Sequence, residues 1–194
     1  MEEKEIIGEV HDYVKKSSVV FGDMDVFNKH VLNVVKHAKN LSDYYKADSF
    51  VVQLAAYLHD IHYILTKDHS VHEIEGSKFA RSFLEQFNIP KDKIDLVCDC
   101  ILNHRGSKNS VRNTMEEKII ACADAMDHIS RVYEFYDLRC KKTSIEKAKK
   151  WVAGKLYRGW NKLEMPKARE LMKEKYFSAM QFFDEEEIYS KNLS

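Results

Sequence analysis

Histidine and aspartate side chains interrupt an apolar stretch of the sequence in a pattern that suits metal binding. The segment QLAAYLHDIHYIL, residues 53–65, is otherwise largely apolar, yet it carries His59 and Asp60 side by side. His59 follows Ala55 by four residues, so helical spacing places it beside the apolar side of a helix. An ionisable group in that position needs a partner, because burying an unpaired charge is costly.

The same pattern recurs on two further predicted helices. His30 lies on a stripe with Val34, and Asp124 follows Ile120 by four residues in EEKIIACADAMDHI. A single inward histidine is more often a hydrogen-bonded core residue than a ligand, and His37, which shares the stripe of His30, is interpreted in that way. Two histidines and two aspartates on core-facing helices are harder to explain as hydrogen-bonded core residues. A divalent ion satisfies all four, because it binds neutral imidazole nitrogen and carboxylate oxygen.

The scarcity of helix-breaking residues predicts an all-α fold to position these groups. The 194 residues include two prolines and six glycines, and alternating β-branched runs are missing. Amphipathic spacing predicts helices over residues 2–16, 25–45, 48–65, 70–88, 91–105, 114–138, 143–163 and 166–189. Asp48 and Thr114 are predicted N-caps, with Glu117 completing a capping box, while Pro90 and Pro166 are placed to begin helices. The length fits one domain, so we expect a single-domain helical bundle.

Composition argues against several classes of partner and compartment. The 31 basic and 31 acidic side chains cancel, so the balance of charge does not favour nucleic acid. The four cysteines fall in amphipathic stretches and predict reduced core thiols, as in a cytosolic protein. MEEKEIIGEV lacks the basic start and apolar run of a secretion signal, and no window is apolar enough for a membrane span. We therefore expect a cytoplasmic protein that does not interact with membranes.

Five motifs in this order resemble the HD-domain metal-dependent phosphohydrolases. They are HVLNVVKHAKNL, AAYLHDI, HEIEGSKFA, ILNHR and ACADAMDHI, and the match runs from about residue 25 to 131. The resemblance implies an HD-type helical core over 25–131, with C-terminal helices over 143–189 packed on it. It also implies that the metal ligands are His30, His59, Asp60 and Asp124. The C-terminal segment is similar, more loosely, to a bacterial branch that acts on nucleoside triphosphates.

The sequence departs from two branches of that family close to the HD pair. Branches that hydrolyse nucleoside monophosphates carry a glutamate where this chain has Tyr63, and an aspartate five residues after it, where this chain has Asp68. Branches that cleave cyclic dinucleotides carry glycine and lysine where this chain has His62 and Tyr63. The substrate of neither branch can therefore be assigned to this protein.

The resemblance implies an enzyme in which a metal-activated water attacks phosphorus, with a nucleotide as the substrate. His72 and His104 match positions that, in some members, complete a second metal site or contact the phosphate. Asp60, His72, His104 and His62 form the predicted catalytic set, although a helix-end histidine without a catalytic role is an equal interpretation of His62. The rim NHRGSKNSVRNT offers phosphate-binding side chains, or is a plain solvated loop; its candidates are Arg105, Lys108 and Arg112.

Metal number and rival functions stay open at this level. Two imidazoles with two carboxylates accept Mn, Fe, Co, Ni or Zn, and Mg is possible. We expect one ion, because a second needs anionic ligands of its own, and Glu73, Glu75 and Asp127 lie on no clearly apolar face. The alternatives are a non-catalytic, metal-containing module that binds nucleotides or is regulatory, and a di-iron oxygenase. A homo-oligomer is possible. Four aromatic residues are interpreted as core residues, namely Tyr63, Trp151, Tyr157 and Trp160, and His11, His69 and His128 are given no role.

Overall fold

Helices account for the regular structure throughout the part of the chain that the structure describes. That part comprises residues 2–105 and 111–183 of a computed structural model, and it contains no strand. The all-α prediction is therefore confirmed. In chain order the helices are α1 (Glu3–Val20), α2 (Met24–Val26), a π-helical turn (Phe27–Val31), α3 (Leu32–Tyr45), α4 (Ser49–Leu58), α5 (Ile61–Thr66), α6 (His72–Leu84), α7 (Lys91–Asn103), α8 (Met115–Ser130), α9 (Val132–Cys140), α10 (Ile145–Lys162) and α11 (Pro166–Phe183).

Local capping signals set where two of these helices begin. The Asp48 carboxylate accepts hydrogen bonds from the backbone N–H groups of Phe50 and Val51, at 3.0 and 3.1 Å. Before α8, the Glu117 N–H donates to the Thr114 hydroxyl at 3.2 Å, which in turn donates to the Glu117 carboxylate at 3.1 Å. Both predicted N-caps are therefore confirmed, because each side chain satisfies N–H groups that have no partner within the helix.

Three helices predicted as continuous are interrupted. The predicted helix over 25–45 contains the π turn, and the helix over 48–65 breaks at His59 and Asp60. Asp60 has φ −109° and ψ 16°, outside the helical region, and Arg131 leaves the helical region in the same way between α8 and α9. No proline or glycine stands at these breaks, so local propensity did not predict them.

The first compact unit, Met1–Asp124, is built around α4. Helices α1, α3 and α7 pack against α4, and α6 packs against both α5 and α7. Apolar side chains such as Leu54, Leu58 and Ile101 are fully buried there. A Cβ added to Gly76 of α6 would lie 3.6 Å from Ile101 and 3.7 Å from the His59 carbonyl oxygen, which are ordinary contact distances, so α6 packs closely on α7 and on the end of α4 at this residue.

The second compact unit, Ala125–Ser194, contains α9, α10 and α11, with α10 packed against the other two. Trp160 is half-buried and stacks on Tyr176 with ring centroids 4.4 Å apart, so the core interpretation holds for it only in part. Trp151 and Tyr157 are exposed, so that interpretation was wrong for them, because neither lies on the buried stripe of α10. The predicted packing of the C-terminal helices on the core stays a prediction. Among the described residues, no helix has the length and apolar character needed to cross a membrane.

Candidate metal centre

The π-helical turn delivers the first predicted ligand. In a π turn the backbone N–H bonds to the carbonyl five residues earlier, here from Leu32 to Phe27, which inserts an extra residue into the helix. His30 lies within this turn and is 6% exposed. Single π turns inside helices are frequent at functional sites. The turn sets which face of the helix His30 occupies.

The break between α4 and α5 brings three predicted ligands together at His30. In a regular helix, consecutive side chains leave the axis about 100° apart. Here His59 Nε2 lies 3.0 Å from His30 Nε2, and Asp60 Oδ2 lies 3.3 Å from the same atom. Asp124 Oδ1, from α8, lies 3.6 Å away from it. All four predicted metal ligands therefore meet in one buried place.

A second pair of histidines approaches the other carboxylate oxygen of Asp60. His72 is the first residue of α6, and His104 directly follows the last residue of α7. Their Nε2 atoms are 3.3 Å apart and lie 3.5 and 3.9 Å from Asp60 Oδ1. Asp60 therefore stands between two histidine pairs, and His30, His59 and Asp60 on one side, and Asp60, His72 and His104 on the other, each form a compact ligand group.

The backbone fixes the tautomer of three of these histidines. The Nδ1–H groups of His59, His72 and His104 donate to the carbonyl oxygens of Ala56, His69 and Ile101, at 2.8, 2.9 and 2.6 Å. A carbonyl only accepts, so Nδ1 carries the proton and the neutral ring keeps its lone pair on Nε2. Lone pairs that face each other at about 3 Å repel, unless a cation or a proton lies between them. The donor set therefore fits a divalent transition metal.

The electrostatic environment favours the protonation states that bind metal. Burial lowers the pKa of His59 and outweighs the nearby carboxylates, which keeps the imidazole neutral. Burial alone would raise the pKa of Asp60, but His59, His30 and His104 lower it well below its usual value. A neutral imidazole and an ionised carboxylate are the forms that ligate a divalent ion.

Two arginines of the basic rim are anchored to the protein. Arg105 Nη1 donates to Glu73 Oε2 at 3.0 Å and to the Ser70 carbonyl oxygen at 3.2 Å. Arg112 donates to the carbonyl oxygens of Asn103 and Arg105, at 2.9 and 3.4 Å. Phosphate binding by these two arginines stays a prediction, and Lys108 lies outside the described residues.

Glu73 corrects the sequence interpretation. It was placed on no clearly apolar face, yet it is 2% exposed and its Oε2 lies 3.6 Å from His72 Nδ1. Its partner Arg105 is distant in the sequence, so no local pattern marked the pair. His62 is half-exposed on α5, with its Cβ facing Gly76, and its catalytic role stays a prediction.

Comparison with known proteins identifies the family. Residues 28–130, more than half of the chain, match the HD domain, and the chain belongs to this family. Its class is that of a metal-dependent hydrolase with an all-α HD fold, as the sequence motifs implied. A search of curated proteins gives no significant match.

Solved structures share the fold along nearly the whole chain. YpgQ from Bacillus subtilis, in complex with ADP, is similar with a TM-score of 0.71 at 21% identity, and the match covers 95% of each chain. A predicted HD superfamily hydrolase from an uncultured Thermotogales bacterium gives 0.64 at 20%, covering 95% of this chain and 97% of the other. An HD-superfamily hydrolase from Bacillus thuringiensis gives 0.65 at 17% identity over 100% of both chains.

Proposed function

We propose that this protein hydrolyses a phosphoester or phosphoanhydride bond of a nucleotide, using one divalent ion held by His30, His59, Asp60 and Asp124. The observation that carries the proposal is the convergence of four imidazole Nε2 atoms within 3.9 Å of the Asp60 carboxylate. When bound, a divalent ion at such a site polarises phosphoryl oxygen and makes water a better nucleophile at neutral pH. The metal is one of Mn, Fe, Co, Ni or Zn, with Mg possible.

His72 and His104 are proposed to contact the phosphate and the attacking water. Their Nδ1–H groups are held by carbonyl oxygens, so each Nε2 is directed toward Asp60 and carries the lone pair of the neutral ring. A neutral Nε2 accepts a proton from water, and a protonated Nε2 donates to a phosphate oxygen. Burial of both rings fixes their orientation and limits competition from bulk water.

A nucleotide is favoured as the substrate by two considerations. The fold is shared with YpgQ, which was crystallised with ADP. The C-terminal segment also resembles a branch that acts on nucleoside triphosphates. In this proposal Arg105, Lys108 and Arg112 neutralise phosphate charge, and the contact of Arg105 with buried Glu73 holds its guanidinium at the rim.

A reducing compartment fits the same proposal. The four cysteines are reduced thiols, three of them buried, as expected for a protein of the cytosol; they are Cys98, Cys100, Cys122 and Cys140. Each of the C-terminal helices over 143–189 is proposed to pack on the HD core.

The decisive experiment supplies metal-reconstituted protein with a panel of nucleoside mono-, di- and triphosphates and simple phosphoesters. Released phosphate and pyrophosphate are both measured, with Asp60→Asn as the inactive control. We expect product from at least one nucleotide, and none from the control. If nucleotides bind the metal-loaded protein and no product forms, the hydrolase proposal is wrong.

One observation favours a second candidate, a nucleotide-binding module without catalysis. Tyr63 occupies the position, three residues after Asp60, at which a related branch has a glutamate, so this chain has no carboxylate there, and the half-buried Tyr63 ring stacks on His69. Isothermal titration separates the two functions. A non-catalytic module binds a nucleotide, and the nucleotide concentration is unchanged after long incubation, whereas the enzyme consumes the nucleotide.

A further inference from the structure

The loop between α5 and α6 ends on one of the histidines of the centre. It runs through residues 67–71, and His72 is the first helical residue after it. Asp68 stabilises the turn, because its carboxylate accepts hydrogen bonds from the Ser70 N–H at 2.7 Å and from the Ser70 hydroxyl at 2.9 Å. The loop also contacts the metal centre, because the carbonyl oxygen of His69 accepts the Nδ1–H of His72 at 2.9 Å.

An aromatic stack fixes the residue that supplies this carbonyl. The rings of Tyr63 and His69 are nearly parallel, with centroids 3.8 Å apart and an interplanar angle of 14°. The His69 ring also meets the His72 ring edge-on, at 5.8 Å and 89°. Tyr63 lies in α5, in the turn that follows Asp60, so the stack ties the loop to the helix that begins at the metal centre. Its sequence position is the one at which the chain departs from a related branch.

We propose that Tyr63 is a positioning residue for His72. Its ring holds His69, the His69 carbonyl holds the Nδ1–H of His72, and the Nε2 of His72 is thereby directed at Asp60 and His104. Tyr63 acts through these residues, without contacting the reacting atoms. Its catalytic consequence rests on the proposed function, in which His72 contacts the phosphate or the attacking water.

The geometry also predicts which part of the side chain matters. Stacking needs the aromatic ring and does not need the phenol hydroxyl, so phenylalanine retains the interaction and alanine removes it. The loop has another support, because Arg105 donates to the Ser70 carbonyl oxygen at 3.2 Å. Loss of the stack therefore loosens His72 without dissolving the loop.

The test reads the His72 hydrogen bond directly in the metal-free protein. Histidines labelled with 15N are observed by NMR, and the Nδ1–H signal of His72 is assigned through its loss in His72→Gln. We expect this signal to be protected from exchange in the parent and in Tyr63→Phe, and to be lost or broadened in Tyr63→Ala. The Nδ1–H of His104, which donates to Ile101, is the internal control and stays unchanged.

His69→Ala is a second variant at an exposed position, and it removes the ring while keeping the backbone carbonyl. It reproduces Tyr63→Ala if the stack is the cause, and the double variant is no worse than either single variant. It also keeps the test available if Tyr63→Ala does not fold. A protected His72 signal in both Tyr63→Ala and His69→Ala overturns the proposal, whether or not the protein proves to be a hydrolase.

Steady-state kinetics give a further test of the positioning role of Tyr63. Tyr63→Ala lowers kcat by roughly tenfold or more with little change in KM, as loss of a supporting hydrogen-bond partner does, and Tyr63→Phe restores it. A raised KM with an unchanged kcat and an unchanged His72 signal would make Tyr63 a substrate contact and contradict positioning.

Discussion

Asparagine in place of Asp60 removes one charge from the centre without changing the shape of the side chain. The carboxylate of Asp60 lies 3.3 to 3.9 Å from the Nε2 atoms of His30, His59, His72 and His104. In Asp60→Asn one of the two oxygens becomes an NH2 group. This group donates hydrogen bonds to imidazole lone pairs and cannot ligate a metal. The variant therefore stays folded without metal and loses its metal affinity.

The size of the effect follows from linkage. A metal present at 100 times its dissociation constant stabilises the folded parent by about 2.7 kcal/mol. In a chain of this length, each 1 kcal/mol raises Tm by about 2–4 °C, so metal should raise the Tm of the parent by roughly 5–11 °C. Asp60→Asn should lose most of this shift, because Asp60 belongs to both ligand groups.

Thermal melts with Mn²⁺ and with a chelator measure the shift, and elemental analysis of the dialysed protein measures bound metal. Asp43→Asn is the matched control, since it makes the same chemical change at an exposed position of α3. The control should keep the full shift. An Asp60→Asn protein that keeps the full shift and stoichiometric metal would refute the assignment of the centre.

Three further predictions test other parts of the structure. Asp124→Ala should fold but lose stoichiometric metal, because the Asp124 carboxylate lies 3.6 Å from His30 Nε2 and is one of the four proposed ligands. Full metal occupancy by elemental analysis would count against this assignment. The parent should bind one ion per chain and His104→Ala should keep it, whereas two ions in the parent and one in the variant would show a second site. Asp48→Ala should lower the free energy of unfolding by about 1 kcal/mol near neutral pH, measured by urea denaturation. Burial would raise the pKa of Asp48, but Lys93 and the helix N–H groups lower it below its usual value. The parent and the variant should therefore differ most in free energy of unfolding above about pH 5, and this difference should decrease below about pH 4. A difference of the same size at pH 3 would contradict this account.

The features that sequence predicted are those with a local physical cause. Asp48 and Thr114 predict where two helices begin, because a capping side chain binds N–H groups two or three residues away. His59 and Asp124 stood out because ionisable groups are costly on apolar helix faces. The structure brings both to the Nε2 atom of His30, and the family match extends over the same helices.

Features that depend on distant contacts had no such signal. Glu73 and Arg105 are far apart in the sequence, so the ion pair between buried Glu73 and half-buried Arg105 follows only from the packing of α6 near the end of α7. The stack of Tyr63 on His69 depends on the path of a loop, which period and propensity do not define. His69, accordingly, was given no role, although its backbone carbonyl orients His72.

The break at His59 and Asp60 shows how the site itself shapes the helices. The sequence there is apolar and has no proline or glycine, so a continuous helix was the natural prediction. A continuous helix would direct the two side chains about 100° apart. By leaving the helical region at Asp60, the backbone lets the carboxylate reach His30 with one oxygen and His72 with the other. The contacts among the histidines and aspartates of the centre offset the lost helical continuity, and they join the α4–α5 break to the π turn, to α6, to the end of α7 and to α8. The break is caused by electrostatic contacts with side chains on other helices. Local sequence does not show those contacts, so a prediction from local sequence misses the break.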